Sequence, residues 1–312
     1  MKYNYAILTD VGSDLSAGLR ERFEVDGYLK IYMSTSYSDE VDASLDVSDA
    51  EIDKFFVSLK ANKDGYKTSP CSVDEIVAYF ETFLRQGKDV LSISLSSKLS
   101  AMYNLVLNAQ KIACEKYPER KILVVDSRRV SIGLGLLTVK ACEFRAEGYS
   151  IEQNAEKLET IKKTIHQMAQ FDDLFWLASK GRISHAKAFF GTLAGIKTLA
   201  DFDSDGMVTP LAKVSGYKKA QKTIIECIKK TIKSANEQII FVVHSIRKEQ
   251  AEILASLIKE EIKPKEVIIC NVYPVNGLNV GPGIFAASYF GTEITDLKYE
   301  KEIINEIISE KL

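Results

Sequence analysis

Apolar and polar positions along the 312-residue chain follow two alternating periods. Short, nearly continuous apolar runs, "YAILTDV" (5–11), "DVLSISLS" (89–96) and "KILVVDS" (121–127), read as strands buried on both faces. "YLKIYMST" (28–35) is a further strand. Between them, "LSAGLRERFEV" (15–25), "SDAEIDKFFVSLKAN" (48–62), "SVDEIVAYFETFLRQGK" (72–88) and "KLSAMYNLVLNAQKIACEKY" (98–117) carry apolar residues at helical spacing. Two of these helices open with a serine followed three residues later by glutamate, Ser48 with Glu51 and Ser72 with Glu75, which predicts capping boxes. Gly87 closes the second of them. Strands alternating with helices predict a mostly parallel sheet flanked by helices.

The pattern changes in the second half. "SIEQNAEKLETIKKTIHQMAQ" (150–170) reads as one helix, "DLFWLA" (173–178) as a strand and "AKAFFGTLAG" (186–195) as a helix. "IKTLADFDSDGMVTPLAKVSG" (196–216) predicts two strands around an Asp205-Gly206 turn. The helix "YKKAQKTIIECIKKTIKSA", strand "QIIFVVHS", helix "RKEQAEILASLIKEEI" and strands "EVIICNVYP" and "GIFAASYFG" follow. This order predicts an α+β domain. The fold class is therefore two-domain α/β, an N-terminal α/β domain over residues 1–168 and a C-terminal α+β domain over residues 169–312. The terminal helix, "YEKEIINEIISEKL", should dock on one of them, and the first domain is a candidate surface.

Composition narrows the function classes. The chain is 46% hydrophobic and 27% charged, with 41 basic and 43 acidic residues and a net charge of −2. No basic stripe points to nucleic acid. No apolar window has the length of a membrane span, and no signal peptide is evident, so a cytoplasmic location is expected. Transient membrane contact is left open. The five cysteines (Cys71, Cys114, Cys142, Cys227 and Cys270) are scattered without metal spacing, which argues against zinc and against a disulfide framework.

Several motifs fail on a specific residue. "DFDSDG" (201–206) matches half a calcium loop, but the twelfth position, which should supply a bidentate glutamate, is Ala212. "IGLGLL" (132–137) lacks the third glycine of a dinucleotide fingerprint. Of the three histidines, His166 falls in a predicted helix, His185 in a polar turn and His244 at a strand end. His244 could serve a nucleophile, but nothing in the sequence pairs it with one.

What remains is a set of hydroxyls at strand ends. Asp10, Ser94–Ser97 and Asp126–Ser127 end predicted parallel strands and should converge on one crevice, where such sheets bind ligands. Thr68 and Ser69 precede one helix start; Ser96, Ser97 and Ser100 precede the next. Free N–H groups at a helix start with hydroxyls beside them suit a carboxylate or phosphate. The same residues also serve as plain helix caps.

Seven segments, taken in order, resemble the DegV family: "TDVGSDL" (9–15), "KTSPCS" (67–72), "SLSSKLSAMYN" (94–104), "VVDS" (124–127), "SKGRIS" (179–184), "DGMVTPLAKVSG" (205–216) and "NVGPGIFA" (279–286). The resemblance implies a bacterial fatty-acid-binding protein that presents an acyl chain to a fatty-acid kinase, with two α/β domains and the lipid buried between them. Residue matching to the family's T-S-Q-P and S-S-x-L-S-G-T motifs implies that Thr68 and Ser100 hold the carboxylate, with Ser69, Ser96 and Ser97 beside them. The G-R-I-S segment implies a role for Arg182, and the G-P-G segment places Asn279 and Gly281 at the ligand. No metal and no cofactor other than the fatty acid is implied.

The chain departs from the family pattern. Asn279 stands where the family has histidine two residues before G-P-G, and Ala101-Met102 replace Gly-Thr after Ser100. An amide does not titrate, so headgroup binding is expected to vary little between about pH 5.5 and 7.5 unless another histidine takes the role. The competing reading is a hydrolase or phosphotransferase using Asp10, Asp126 and His244, and a further one is a diverged regulatory lipid sensor.

Overall fold

The computed structural model describes residues 2–35, 38–62, 65–184, 195–295 and 298–309. Its contacts divide the chain into two units, the first Met1–Val47 with Asp64–Lys162, the second Ser48–Lys63 with Lys163–Leu312. The segment around residues 49–61, expected in the first domain, groups with the second.

The first unit is built on four parallel strands, β1 (Tyr5–Asp10), β2 (Gly27–Leu29), β6 (Asp89–Ser94) and β7 (Ile122–Asp126), in the order β2-β1-β6-β7. Every residue of β1 is buried, as its unbroken apolar run predicts. From β1 the chain moves to β2 on one side and later to β6 and β7 on the other, so the order reverses between β1 and β6. A reversal of this kind opens a crevice at the carboxyl ends of the strands. Helices α1 (Ala17–Arg22), α3 (Val73–Leu84), α4 (Met102–Lys116), α5 (Ile132–Ala146) and α6 (Ile151–Ile161) belong to this unit. The two glycines weighed as a nucleotide fingerprint lie inside α5; at Gly135 a Cβ would sit 2.9 Å from the Ser13 carbonyl oxygen, so close helix packing accounts for it.

The expected strand 28–35 is two strands in different sheets. β2 joins the parallel sheet, while β3 (Ile31–Thr35) lies between β4 (Ser38–Asp42) and β5 (Tyr66–Pro70) in a small antiparallel sheet. Both predicted capping boxes form, at Ser48–Glu51 on α2 (Asp49–Ala61) and at Ser72–Glu75 on α3.

The second unit holds a six-stranded sheet in the order β10-β9-β8-β13-β11-β12: β8 (Ile165–Phe171), β9 (Ile196–Phe202), β10 (Val208–Ser215), β11 (Ile239–Ser245), β12 (Glu266–Asn271) and β13 (Ile284–Phe290). Only β11 and β12 pair in parallel; the other neighbours are antiparallel. One core joins the sheet to α8 (Gly216–Thr231), α9 (Lys248–Glu261) and α11 (Lys298–Ser309) through residues such as Ile224, Leu254, Phe285 and Ile304. The terminal helix therefore docks on the second unit, against α8 and β10, and not on the first.

Three expectations are corrected here. The helix predicted over 150–170 stops at Ile161, and 165–171 becomes β8, in the middle of the sheet. His166 is thus a strand residue. Its ring nitrogens bond Asp201 at 3.0 Å and the Thr292 carbonyl at 3.1 Å, and the Gln167 N–H donates to Asp201 at 2.7 Å. These partners exist only across the sheet, and they stabilise a strand that local periodicity does not favour. The predicted strand 173–178 is the short helix α7 (Phe175–Ser179), started by Asp173, whose side chain accepts from the Phe175 N–H at 2.8 Å. Val272–Pro274, expected as strand, lead into the helix α10 (Pro274–Val280), with proline in its first turn.

The Asp201–Gly206 stretch is the predicted hairpin turn: Asp203 accepts from the Asp205 and Met207 N–H groups. His185 and residues 186–194 of the helix expected over 186–195 lie outside the described residues.

Candidate functional site

The crevice between β1 and β6 gathers the expected acidic and hydroxyl residues of the first unit. Asp10 is fully buried and accepts two backbone N–H bonds, from Gly12 at 2.9 Å and from Leu95 at 2.7 Å, so it ties the turn after β1 to the turn after β6. Burial pushes its carboxyl up to about 7, against the opposing pull of those two bonds. Asp126, paired in register with Ser94, accepts from the Ser97 hydroxyl at 2.6 Å, the Ser97 N–H at 3.2 Å and the Arg128 N–H at 3.0 Å. Asp10, Ser94–Ser97 and Asp126 do meet at one sheet end.

The hydroxyls differ in what they can still do. A hydroxyl has one proton to donate. Ser97 gives its proton to Asp126 and keeps only lone pairs for a ligand. Ser96 is buried and accepts from the Lys98 N–H at 3.3 Å. Ser100 accepts from the Met102 N–H at 3.2 Å, and among the described residues its own proton has no acceptor. Ser100 is half-buried, at the start of α4. That helix has no side-chain N-cap bond and no acidic residue in its first turn, although it runs for 15 residues. No carboxylate of its own first turn compensates its N-terminal dipole and N–H groups.

The helix α3 is different. Its start is filled by its own Glu75, which accepts from the Ser72 N–H at 2.8 Å and is also bonded by Tyr32. Thr68 and Ser69, expected beside a helix N-terminus, instead sit in β5, where Thr68 pairs with Met33 and Ser69 with Tyr32. Both are half-buried. Among the described residues the Thr68 hydroxyl has no hydrogen-bond partner.

In the second unit, Asn279 is half-buried in α10 and donates its amide to the Val275 carbonyl at 2.9 Å, within its own helix. Gly281 ends α10 with φ +72, and a Cβ there would overlap the Trp176 indole. The group that approaches the Gly281 backbone is thus a tryptophan, which requires glycine on two counts. Arg182 is half-buried and bonds the Lys180 carbonyl.

A network absent from the sequence reading stands beside this loop. Asp172 accepts from Lys197 at 2.6 Å, from Arg247 Nε at 3.0 Å and from Tyr217 at 2.9 Å, and its N–H donates to the Gly283 carbonyl at 3.0 Å. Burial raises its pKa, but the hydrogen bonds from Lys197, Arg247 and Tyr217 outweigh that and hold it below the usual carboxylate range. No spacing in the sequence marks these four as neighbours, because they come from four separate elements.

His244 is buried with an Nδ1 that has no hydrogen-bond partner among the described residues. Burial, and then Lys248, lower its pKa. No group of three or more His, Cys, Asp or Glu residues that could hold a metal occurs among the described residues. No helix among them is long and apolar enough to cross a membrane.

A family model described as an uncharacterised protein of the DegV family matches residues 4–292. The chain belongs to the DegV family. A DegV domain-containing protein from Clostridium perfringens is 31% identical over 291 residues, covering 92% of this chain and 97% of that one. DegV from Bacillus subtilis, solved as a fatty acid binding protein, is 25% identical with a TM-score of 0.78, covering 93% of this chain and 100% of that one. A stearic acid-binding protein from Eubacterium ventriosum has a similar fold, at 22% identity and a TM-score of 0.79, covering 91% of this chain and 97% of that one.

Proposed function

We propose that this protein binds a long-chain fatty acid, with the carboxylate held by the Ser100 hydroxyl and the N–H groups at the start of α4, and by Thr68. The observation that carries the reading is the unassigned proton of Ser100 at a helix start with no capping carboxylate. The half-buried Thr68 hydroxyl supplies a second donor. DegV from Bacillus subtilis, a fatty acid binding protein, and the stearic acid-binding protein from Eubacterium ventriosum support the ligand class.

The acyl tail supplies most of the affinity. At about 0.8 kcal/mol per buried CH₂, a sixteen-carbon tail gains on the order of 10 kcal/mol before ordering costs. Asp10 accepts two backbone N–H bonds and Asp126 accepts backbone N–H and hydroxyl bonds, which fits holding the turns of the site better than catalysing a reaction. On this reading the protein is a cytoplasmic carrier without turnover of its own, and the family resemblance gives it a fatty-acid kinase as the partner that receives the bound acid.

Mass spectrometry of the organic extract of purified protein tests this. A long-chain acid at about one per chain is the expected result. An extract without any fatty acid, from protein that also fails to bind added palmitate, overturns it.

A further inference from the structure

Asp10 is bonded to the root of the turn that carries Ser100 in the proposed headgroup site. Its Oδ2 accepts the Leu95 N–H, at the root of the turn that leads through Ser96 to Ser100, where the Ser100 N–H in turn bonds the Ser96 carbonyl at 3.2 Å. On the other side, burial, then the Glu75 charge and in small part the charge of Asp10 push the Cys71 thiol, three residues beyond Thr68, up to about 11. The segment that carries Ser100 therefore closes on Asp10, and the segment that carries Thr68 leads to a thiol that its charge reaches.

The surroundings do not neutralise it. Ionisable groups on the adjoining turns and strands are Asp14 after β1, Tyr28 on β2 and Lys30 just beyond it, Cys71 before α3, Lys98 in the Ser96–Ser100 turn, Asp126 on β7, and Arg128 and Arg129 after β7. Among the described residues none of them donates a hydrogen bond to Asp10, whose partners are the two backbone N–H groups.

We propose that binding of a carboxylate at Ser100 and Thr68 is coupled to uptake of one proton by Asp10. The proposal rests on the fatty-acid reading above. Two carboxylates in a shared low-dielectric site disfavour each other's ionised form, and the group already raised by burial is the one that takes the proton. The proton comes from solvent to a carboxyl oxygen of Asp10, and the ligand stays ionised to receive the hydroxyl and N–H bonds. Burial, net of the two backbone hydrogen bonds, already holds the Asp10 carboxyl at about 7, so a neighbouring anion has only a short way to move it. Headgroup binding therefore depends on pH through a carboxyl, although an amide stands at Asn279.

Decanoate, which is soluble and ionised near neutrality, is a suitable probe, with calorimetry at pH 7 in phosphate and in Tris buffer. The expected result is a binding heat that differs between the buffers by the ionisation heat of a fraction of a proton, with net uptake. Affinity should fall about three- to tenfold from about pH 6 to pH 8.5, as a one-unit rise in the Asp10 pKa dictates. In Asp10→Asn, folded by circular dichroism, that slope should vanish. Equal heats in both buffers, or a wild-type slope retained in Asp10→Asn, overturn the coupling and leave fatty-acid binding standing. Failure to bind decanoate together with an extract free of any fatty acid overturns both.

Discussion

Ser100 and Ser97 are three residues apart in one turn, yet only Ser100 retains a proton for a ligand. Ser100→Ala and Thr68→Ala should each weaken fatty-acid binding by about 1–3 kcal/mol, the range for a hydrogen bond to a charged group. Ser97→Ala should leave affinity almost unchanged while lowering stability, because it leaves Asp126 short of a donor. A lipid-binding titration beside a denaturant melt separates the two effects; an affinity loss in Ser97→Ala as large as in Ser100→Ala would reverse the assignment. Asp10 makes a prediction for the unliganded protein as well. Its folded pKa, about 7, lies above its ordinary value of 3.8. Its contribution to stability is therefore fully present below about pH 4 and is lost as pH rises towards 7, on the order of 4 kcal/mol in total. Stability measured by urea denaturation across that range should carry this downward component in wild type and lack it in Asp10→Asn.

Among the elements, the two helices that open on hydroxyl-rich segments behave differently because their first turns differ. Glu75 completes a capping box on α3, whereas α4 begins at Met102 with no acidic residue in its first turn. Ser72→Ala should cost about 1 kcal/mol of stability, the ordinary loss of an N-cap, with lipid affinity unchanged. The turn that ends α10 is more demanding. Gly281→Ala must place a Cβ against Trp176 at a positive φ, so a stability loss of about 2 kcal/mol or more is expected in thermal or chemical melts. A neutral result would mean that Trp176 has another rotamer available.

For the molecule as a whole, α11 completes the core of the second unit, with Ile303, Ile304 and Ile307 buried beside α8. Ile304→Ala should cost about 2–5 kcal/mol, the range for truncating a fully buried isoleucine. If the native state carries a bound fatty acid, stripping the lipid should lower the melting temperature. Ligand at about a hundred times its Kd stabilises by about 2.7 kcal/mol, and re-addition of palmitate should restore the loss. Identical melts with and without lipid would contradict specific binding to the folded state.

The sequence by itself determined the parallel sheet of the first unit, both capping boxes, the Asp205-Gly206 hairpin and the family. Each is written in local pattern: unbroken apolar runs, a serine with glutamate three residues on, a turn dipeptide, motifs in order. It also brought Asp10, Ser94–Ser97 and Asp126 together, because parallel strands deliver their carboxyl ends to one edge. Only the tertiary structure decided that 165–171 is a strand, since His166 and Gln167 find Asp201 across the sheet and nowhere nearby in the chain. It also decided that Trp176 lies on a helix against Gly281, and that Asp172 gathers Lys197, Tyr217 and Arg247. The division of labour among the serines belongs to the same class. Which hydroxyl gives its proton to the protein and which keeps it depends on what lies across the fold, and residue type and spacing do not encode that.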